Sequence, residues 1–519
     1  GCVFPGGKSL LKESYRQNIA ILGDETVGKT SLVFRFLNTF QDNHILLAYL
    51  EIRPESQLSF ARRFAGVILY NFLFNSGFPL REDLDFLMEK SRRYIPATVD
   101  KIRTLLNLAQ KRKTSGLFSE LLSITELLHQ ETGKFCVVIF DEFLNLEFLG
   151  FKNLYRDWSR QLILQKNTMH IIISSMQFRA KAVLSKNLSL LFGNFEIIPV
   201  EPFDIGTSEQ YLEERTRGQN LLIPLRDFLV HFTGGFPLYL EVISDALLKS
   251  GPNNLSGVLE SLIFDSGGSI HQRFSNYIKR FLDSNYSNDY LSILYLIASG
   301  RNKIKDMAHF LRKPRKDITL RINRLLELDA IARSGDFLKI NDRVFSFWLR
   351  FVYHERMSSL SFDARSQKEK FRENVEEMIR SFTRASHKSL MERCLEVLRL
   401  FEDELIQVER KKIRLNHFRE IKSLEFNNRN LKEGLIGRSQ DSLWIMAFKQ
   451  EGLSEDDITD FAKECKKYRH KLQRKVIVTL QNEIDENTRL RAMEEKIWTW
   501  DIHSLNQIFD LYSKPWVIA

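Results

Sequence analysis

The run Asn18-Ile19-Ala20-Ile21-Leu22-Gly23-Asp24-Glu25-Thr26-Val27-Gly28-Lys29-Thr30-Ser31-Leu32 constrains the fold more than any other part of this chain. It fits G-x-x-x-x-G-K-[ST], the pattern of a phosphate-cradling loop, without a gap. An apolar run long enough for one buried strand precedes it, and Ser31 to Leu37 continues with helical apolar spacing. Strand, loop and helix therefore follow one another as the pattern requires. Gly23 and Gly28 permit backbone conformations and close approach that a side chain would block, so successive N–H groups can turn toward phosphate oxygens. The expected ligand-binding positions are Gly23, Asp24, Glu25, Thr26, Val27, Gly28, Lys29, Thr30 and Ser31. Lys29 would meet the outer phosphates and act in catalysis, Thr30 would offer its hydroxyl to magnesium, and the helix N-terminus adds its positive dipole end.

A chain of 519 residues exceeds one ordinary core and suggests three or four domains. Its 43% hydrophobic content is that of a globular protein, and no run of about 18 uncharged apolar residues points to a membrane span. Gly1-Cys2-Val3-Phe4-Pro5 lacks the basic and apolar regions of a signal peptide, and Pro5 breaks the myristoylation pattern. Cys2, Cys136, Cys394 and Cys465 are far apart, so a reducing, cytoplasmic setting without zinc is expected. A net charge of +10 permits attraction to a polyanion such as nucleic acid, and the 40 Phe residues point to large cores and partner-facing grooves.

Along the chain, His44 to Ile52 reads as a second apolar strand. Helical periodicity follows over Ser56 to Asn75, Leu84 to Lys90, Ala97 to Leu108 and Leu117 to Thr132. Phe135-Cys136-Val137-Val138-Ile139-Phe140 is an uninterrupted apolar run, as in a strand buried on both faces, and it ends in Asp141-Glu142. Asp141 could hold magnesium, and Glu142 could orient and deprotonate an attacking water as the catalytic base. A strand from Met169 ends in Ser174-Ser175, and Ser175 is assigned to the ligand because strand carboxyl ends face the crevice of a parallel sheet. Phe195 to Val200 is a fifth strand candidate.

Five features in order resemble the archaeal-type P-loop ATPases of the STAND group among the AAA+ relatives. They are the phosphate loop, Asp141-Glu142-Phe143, Ser174-Ser175, Leu191-Phe192-Gly193 with Pro202-Phe203, and Thr233-Gly234-Gly235-Phe236-Pro237-Leu238-Tyr239. The resemblance covers about the first 355 residues. It implies an α/β fold, with a P-loop parallel sheet over residues 1–205 and a helical lid over 206–285, and it implies ATP and Mg2+ as ligands. The lid's Gly235-Phe236-Pro237 is similar to a G-x-P motif that such ATPases bring near the nucleotide, so Pro237 joins the expected site. The chain departs from the family at two arginine positions: Phe4-Pro5-Gly6-Gly7-Lys8 lacks one, and Asn194 stands for the other. Slow hydrolysis is the consequence, with Arg179 and Arg35 as alternative substitutes.

Three short helical stretches, Tyr290 to Ala298, Ile304 to Leu311 and Ile318 to Leu328, precede a hairpin pattern over Ala330 to Ile340. Three helices plus a hairpin read as a winged helix, assigned to 286–357. Arg312, Lys313, Arg315, Lys316, Arg321 and Arg324 could neutralise DNA phosphates, or the module could be an intramolecular part of a switch. Asp342 to Val352 is similar to the Asp-Pro…Phe-Trp…Arg-Phe stretch that closes this module in the family, with Arg343 where Pro is usual.

Residues 358–519 read as two helices, near Lys368 to Thr383 and Lys388 to Phe401, and a strand-poor basic stretch around Lys411-Lys412-Ile413-Arg414. An α/β order follows: Leu443 to Lys449, a helix at Asp456 to Leu472, a strand at Lys475 to Leu480, a helix near Glu486 to Lys496, and a strand at Trp498 to Ile502. This order resembles a restriction-endonuclease-type domain. Lys449 matches the family lysine, Ala447 replaces the glutamate, Glu433-Gly434-Leu435-Ile436 lacks the aspartate, and Glu392 is the remaining acid. A degenerate nuclease-like domain without nuclease activity is expected. The resulting expectation is an ATPase that works as a nucleotide-dependent switch; the alternatives are an ATP-gated DNA-binding protein, an ATP-triggered nuclease with an atypical site, and an assembly scaffold. Expected partners are ATP, DNA through the winged helix, and a protein partner or second copy, without membrane insertion.

Overall fold

The computed structural model describes residues 17–74, 81–112, 115–189, 195–217, 221–251, 254–282, 287–358, 363–408, 411–426, 430–440, 442–468 and 472–518. The expected features at Phe4 to Lys8 and Leu191 to Asn194, together with Cys2, lie outside them. Two compact units emerge, one reaching to Pro202 with residues 327–329, the other comprising the remainder. The expected lid, three-helix and C-terminal segments thus share the second unit, apart from residues 327–329.

In the first unit, β1 (Ile19–Leu22) leads through the glycine loop to α1 (Lys29–Thr39). There follow β2 (Ile45–Glu51), α2 (Gln57–Phe74), α3 (Leu84–Ser91), α4 (Pro96–Gln110), α5 (Leu117–Leu122), α6 (Ile124–Thr132) and β3 (Phe135–Asp141). The unit continues with α7 (Leu154–Leu164), β4 (Thr168–Ser174), α8 (Gln177–Lys186) and β5 (Glu196–Pro199). The helix expected over Leu117 to Thr132 is two helices, parted at Ser123, whose hydroxyl donates to the Glu120 carbonyl. A side chain that bonds the local backbone competes with the helical ladder in this way.

The five strands form one parallel sheet in the order β2-β3-β4-β1-β5, so β4 intervenes between the strand that carries the loop and the strand that carries the acids. Because crossovers cover both faces, β3 and β4 are buried almost throughout, which explains their unbroken apolar sequence. One face packs on α2 and its neighbours in a core rich in aromatics. Phe140 meets the Trp158 ring edge-on at 5.4 Å, and Phe118 meets Trp158 at 5.6 Å. Residues of the other face of β1 to β4 pack on Val33 of α1. The phenylalanine abundance is therefore in good part core.

The second unit opens with α9 (Ile205–Arg215), α10 (Ile223–Thr233) and α11 (Pro237–Ser250). Gly234 and Gly235, both at positive φ, and Pro237 in the first turn of α11 make a sharp corner between the last two. After α12 (Leu255–Leu259) and α13 (Ser269–Leu282), three helices, α14 (Ser287–Ala298), α15 (Ile304–Phe310) and α16 (Arg315–Glu327), precede the antiparallel pair β6 (Ala332–Ser334) and β7 (Phe337–Lys339). The aromatic stretch forms α17 (Arg343–Trp348) and the turns after it, with Val344, Phe345, Phe347 and Trp348 buried. Arg343 pairs with Asp510, donates to the buried His231 and lies 4.7 Å over the Trp516 ring. These contacts explain a side chain where the family pattern has proline.

The remainder departs from expectation. After α18 (His354–Ser358), α19 (Ala364–Ser386) and α20 (Leu390–Leu398), the supposedly strand-poor basic stretch is a hairpin of β8 (Glu404–Val408) and β9 (Lys411–Leu415). Ile406, Ile413 and Leu415 face the core while the charged residues of β9 point out, so the alternation was present but masked by lysine and arginine. A second, mixed sheet runs β10 (Glu420–Glu425), β11 (Glu433–Arg438), β12 (Leu443–Lys449), β13 (Leu472–Thr479) and β14 (Ile497–Trp500) in that order. It is antiparallel from β10 to β12 and parallel from β12 to β14. The helix expected to reach Leu472 stops at Cys465 as α21 (Glu455–Cys465), and Leu472 begins β13. After α22 (Glu486–Glu494), β14 ends at Trp500, and Ile502 opens an unforeseen helix, α23 (Ile502–Leu511), capped by Asp501. Among the described residues no helix is long and apolar enough to cross a membrane. Cys136, Cys394 and Cys465 are buried free thiols, whose burial pushes each pKa up to about 12.

Candidate functional site

The glycine loop joins the carboxyl end of β1 to α1, and its backbone shows why two glycines are needed. Gly28 sits at φ +93°, a conformation that L side chains rarely adopt. At Gly23 the constraint is packing, since an added Cβ would lie 2.2 Å from the Val200 carbonyl oxygen at the end of β5. Thr26 also takes a left-handed conformation, at φ 70°. Val27 is buried against the loop, leaving its backbone N–H as the group that can serve a ligand, while Ser31 is exposed in the first turn of α1.

Lys29 is only 6% exposed, and its ammonium donates to the carbonyls of Gly23 at 2.9 Å and Asp24 at 2.7 Å. Burial lowers its pKa, an effect opposed by the nearby carboxylates of Glu142 and Asp141. Thr30 donates its hydroxyl to Asp141 Oδ2 at 2.9 Å, across 111 residues of sequence. The same carboxylate oxygen accepts from the Tyr49 hydroxyl at 2.7 Å, while Asp141 Oδ1 accepts the Glu142 N–H at 2.9 Å. Two hard oxygen donors, Thr30 Oγ1 and Asp141 Oδ2, thus lie together beside the loop, a donor set that suits magnesium.

Glu142 occupies the left-handed region at φ 50°, a conformation costing on the order of 1 kcal/mol in a residue that is not glycine. Its carboxylate accepts the Ser175 N–H, with both oxygens at 3.2 Å. Burial raises its pKa, and the hydrogen bonds from Ser175 and the charge of Lys29 only partly offset the rise. Ser175 therefore reaches the site through both its backbone N–H and its hydroxyl, whereas Ser174 Oγ accepts the Met176 N–H. Arg179 is ion-paired with Glu147, and Arg35 is exposed on α1. Pro237 belongs to the second unit.

Tyr49 and Gln177 escape the sequence reading. Gln177 donates to Asp24 Oδ1 at 2.9 Å and ties the loop to the start of α8. Tyr49 is the single side-chain hydroxyl of β2, but its value depends on β2 lying in register beside β3, Glu51 opposite Asp141. No local pattern announces that pairing.

No family model matches the chain, and no curated protein matches it. Among solved structures it is similar to the Walker-type ATPase of Pyrococcus abyssi, at 22% identity over 67% of this chain and 96% of that one, with a TM-score of 0.50. The fold is that of a P-loop ATPase. The ORC2 protein of Aeropyrum pernix in its ADPNP-ADP complexes is also similar, at 12% identity over 68% of this chain and 92% of that one, with a TM-score of 0.37. AMPPCP-bound DnaA of Aquifex aeolicus gives 16% identity over 62% and 85%, with a TM-score of 0.27. The last two scores are too low to bear on the fold.

In the second unit, Lys449 ends β12, and its ammonium pairs at 2.6 Å with Asp457 Oδ2. Ser454 adds its N–H and hydroxyl to the same oxygen. Burial alone would raise the pKa of Asp457, but the donors from Lys449 and Ser454 prevail and hold it below the ordinary carboxylate range. Ala447 is fully buried, and Glu392 caps its own helix by accepting the Ser389 N–H at 2.9 Å.

Proposed function

We propose that the chain binds ATP with Mg2+ at Gly23 to Thr30, hydrolyses it slowly, and works as a nucleotide-dependent conformational switch of the STAND kind. The observation that supports this is the meeting of the Lys29 ammonium, the Thr30 hydroxyl and the Asp141 and Glu142 carboxylates at the carboxyl end of one parallel sheet. Loop N–H groups and Lys29 take the phosphates, and Thr30 and Asp141 hold the magnesium, which supplies charge neutralisation on the phosphate oxygens. Glu142 takes the proton of the attacking water. Its raised pKa makes it a stronger base than an exposed glutamate, and the Ser175 N–H fixes its direction. Slow turnover agrees with Arg179 being held by Glu147. On this reading Pro237 belongs to a lid over the nucleotide, and residues 286–357 are a winged helix that relays the switch in a cytoplasmic protein. Equilibrium binding of labelled ATP tests the site: Lys29→Ala should weaken affinity by roughly 10- to 100-fold, and undiminished affinity would overturn the assignment.

A second reading is ATP-gated DNA contact. It is favoured by Arg312, Arg315 and Lys316, which lie exposed at the start of α16. Against it, Lys313 and Arg321 pair with Asp289. The turn between β6 and β7 is also tied to β8 by the Asp336 N–H to Leu405 carbonyl bond at 2.8 Å, closely enough that a Cβ on Gly335 would clash. Salt-sensitive duplex binding, weakened by R315E and K316E, is the result this reading requires. A nuclease role is disfavoured because the one matching lysine is neutralised by Asp457.

A further inference from the structure

A cavity of about 1340 Å³ in the first unit lies along the β2 edge of the parallel sheet, and none of Gly23 to Thr30 lines it. Its floor is β2, which pairs with β3 on one side and, among the described residues, is the terminal strand on the other. The C-terminal half of α1 forms one wall, through Leu37 and Phe40. The other wall is α2, through Leu58, Val67 and Tyr70, and Phe74 stacks on Tyr70 at 6.3 Å between ring centroids while remaining 62% exposed.

The direction of each backbone group on β2 follows from its bonds to β3. His44 O accepts from Phe135 N, and Ile52 N donates to Asp141 O, so the even-numbered residues face β3. The N–H and C=O groups of Leu47 and Tyr49, which line the cavity, consequently point into it, and those of Glu51 face the same side, away from β3. Ile45-Leu46-Leu47-Ala48-Tyr49-Leu50-Glu51 also lacks the lysine, proline or bulge with which open sheet edges are ordinarily guarded.

From this arrangement we infer that the slot is a docking site for an extended segment of a partner protein, which adds as a sixth strand beside β2. The two helical walls would cover both faces of the added strand, so its middle is apolar on both sides, like a buried parallel strand. Charge sets the ends. The acids Asp42, Glu82 and Asp83 line the slot toward the amino end of β2, while Arg62, near the start of α2, lines it toward the carboxyl end. Arg62 is exposed and makes no ion pair among the described residues. The partner segment therefore carries a basic residue at the acidic end and an acidic residue beside Arg62. A second copy of this chain fits less well, because its own β2 is recessed behind the same two helices and two recessed edges cannot meet. Tyr49 forms part of the floor and also bonds Asp141, so occupancy of the slot reaches the candidate magnesium site through one side chain.

Selection of a phage-displayed heptapeptide library on the full chain tests the assignment. Enriched sequences should have apolar β-formers in the middle and opposite charges at the ends. They should lose binding to Leu47→Pro, which removes an outward N–H without touching the bonds to β3. Arg62→Glu, a surface change that leaves the strand intact, should shift selection from an acidic to a basic end residue. A synthetic enriched peptide should slow amide exchange at Leu47, Tyr49 and Glu51 by about tenfold or more, with Ala48 and Leu50 unchanged. Equal enrichment on Leu47→Pro with an unaltered end-charge preference in Arg62→Glu, protection confined to another surface, or a β2-dependent dimer in sedimentation would each overturn it.

Discussion

Each compact unit holds a lysine beside a buried aspartate near the carboxyl end of a strand, and the two lysines are held in opposite ways. The Lys29 ammonium is bonded to neutral carbonyls of its own loop, and the neighbouring Asp141 binds Thr30 and Tyr49 instead. In the second unit, Lys449 and Asp457 neutralise each other directly, and Ser454 completes the pair. A cation whose partners are dipoles keeps its charge available for a polyanion. One that sits on a carboxylate must first break a buried pair, at a cost of several kcal/mol. The same two residue types thus make a candidate ligand site in one unit and a structural brace in the other.

The comparison is broken most severely at Glu142. Glu142→Gln should lower phosphate release by roughly 10²- to 10⁴-fold while leaving ATP affinity close to wild type; unchanged turnover would remove the base from the mechanism. Because burial raises the pKa of Glu142, the wild-type rate should fall with decreasing pH at a value above the ordinary glutamate value of about 4.3. The residual rate of the variant should lack that limb.

Next in size is the brace. Lys449→Met leaves Asp457 buried with Ser454 alone, and should destabilise the second unit by about 3 kcal/mol in denaturant unfolding with ATP affinity unaltered. Asp457 has a depressed folded pKa, so its contribution is present above the ordinary aspartate value of about 3.9 and is lost as pH falls from there through the folded value. Lys449→Met should flatten that acid dependence. Loss of ATP binding in this variant would refute the separation of roles. The smallest effect belongs to Tyr49→Phe, which removes one hydrogen bond to Asp141 and should weaken magnesium-dependent ATP binding by about fivefold. No change there would confine Asp141 to its contact with Thr30.

The site was legible in sequence where its parts are local. Phosphate loop, glycines, lysine and threonine lie within eight consecutive positions, and an apolar run that ends in Asp141-Glu142 needs no tertiary knowledge to be noticed. The C-terminal sheet was harder to read. Charged residues on the exposed face of β9 obscured its alternation, and β10 and β11 depend on cross-strand partners for their definition.

By itself, then, the sequence determined the strand-loop-helix unit, the acid pair and the apolar strands of a parallel sheet, because short-range sterics and apolar periodicity act over a few residues. Tertiary structure alone decided the rest: that β4 separates β1 from β3, that Tyr49 and Gln177 reach the loop and its acid, and that Lys449 is neutralised by Asp457. It also decided that β2 is, among the described residues, the edge strand of the first sheet. Strand order, the β2 edge and the reach of Tyr49 depend on which strand lies beside which and in what register, a choice made by burial summed over a whole layer, whereas the Lys449–Asp457 pair spans only eight residues and depends on how α21 turns back on the end of β12.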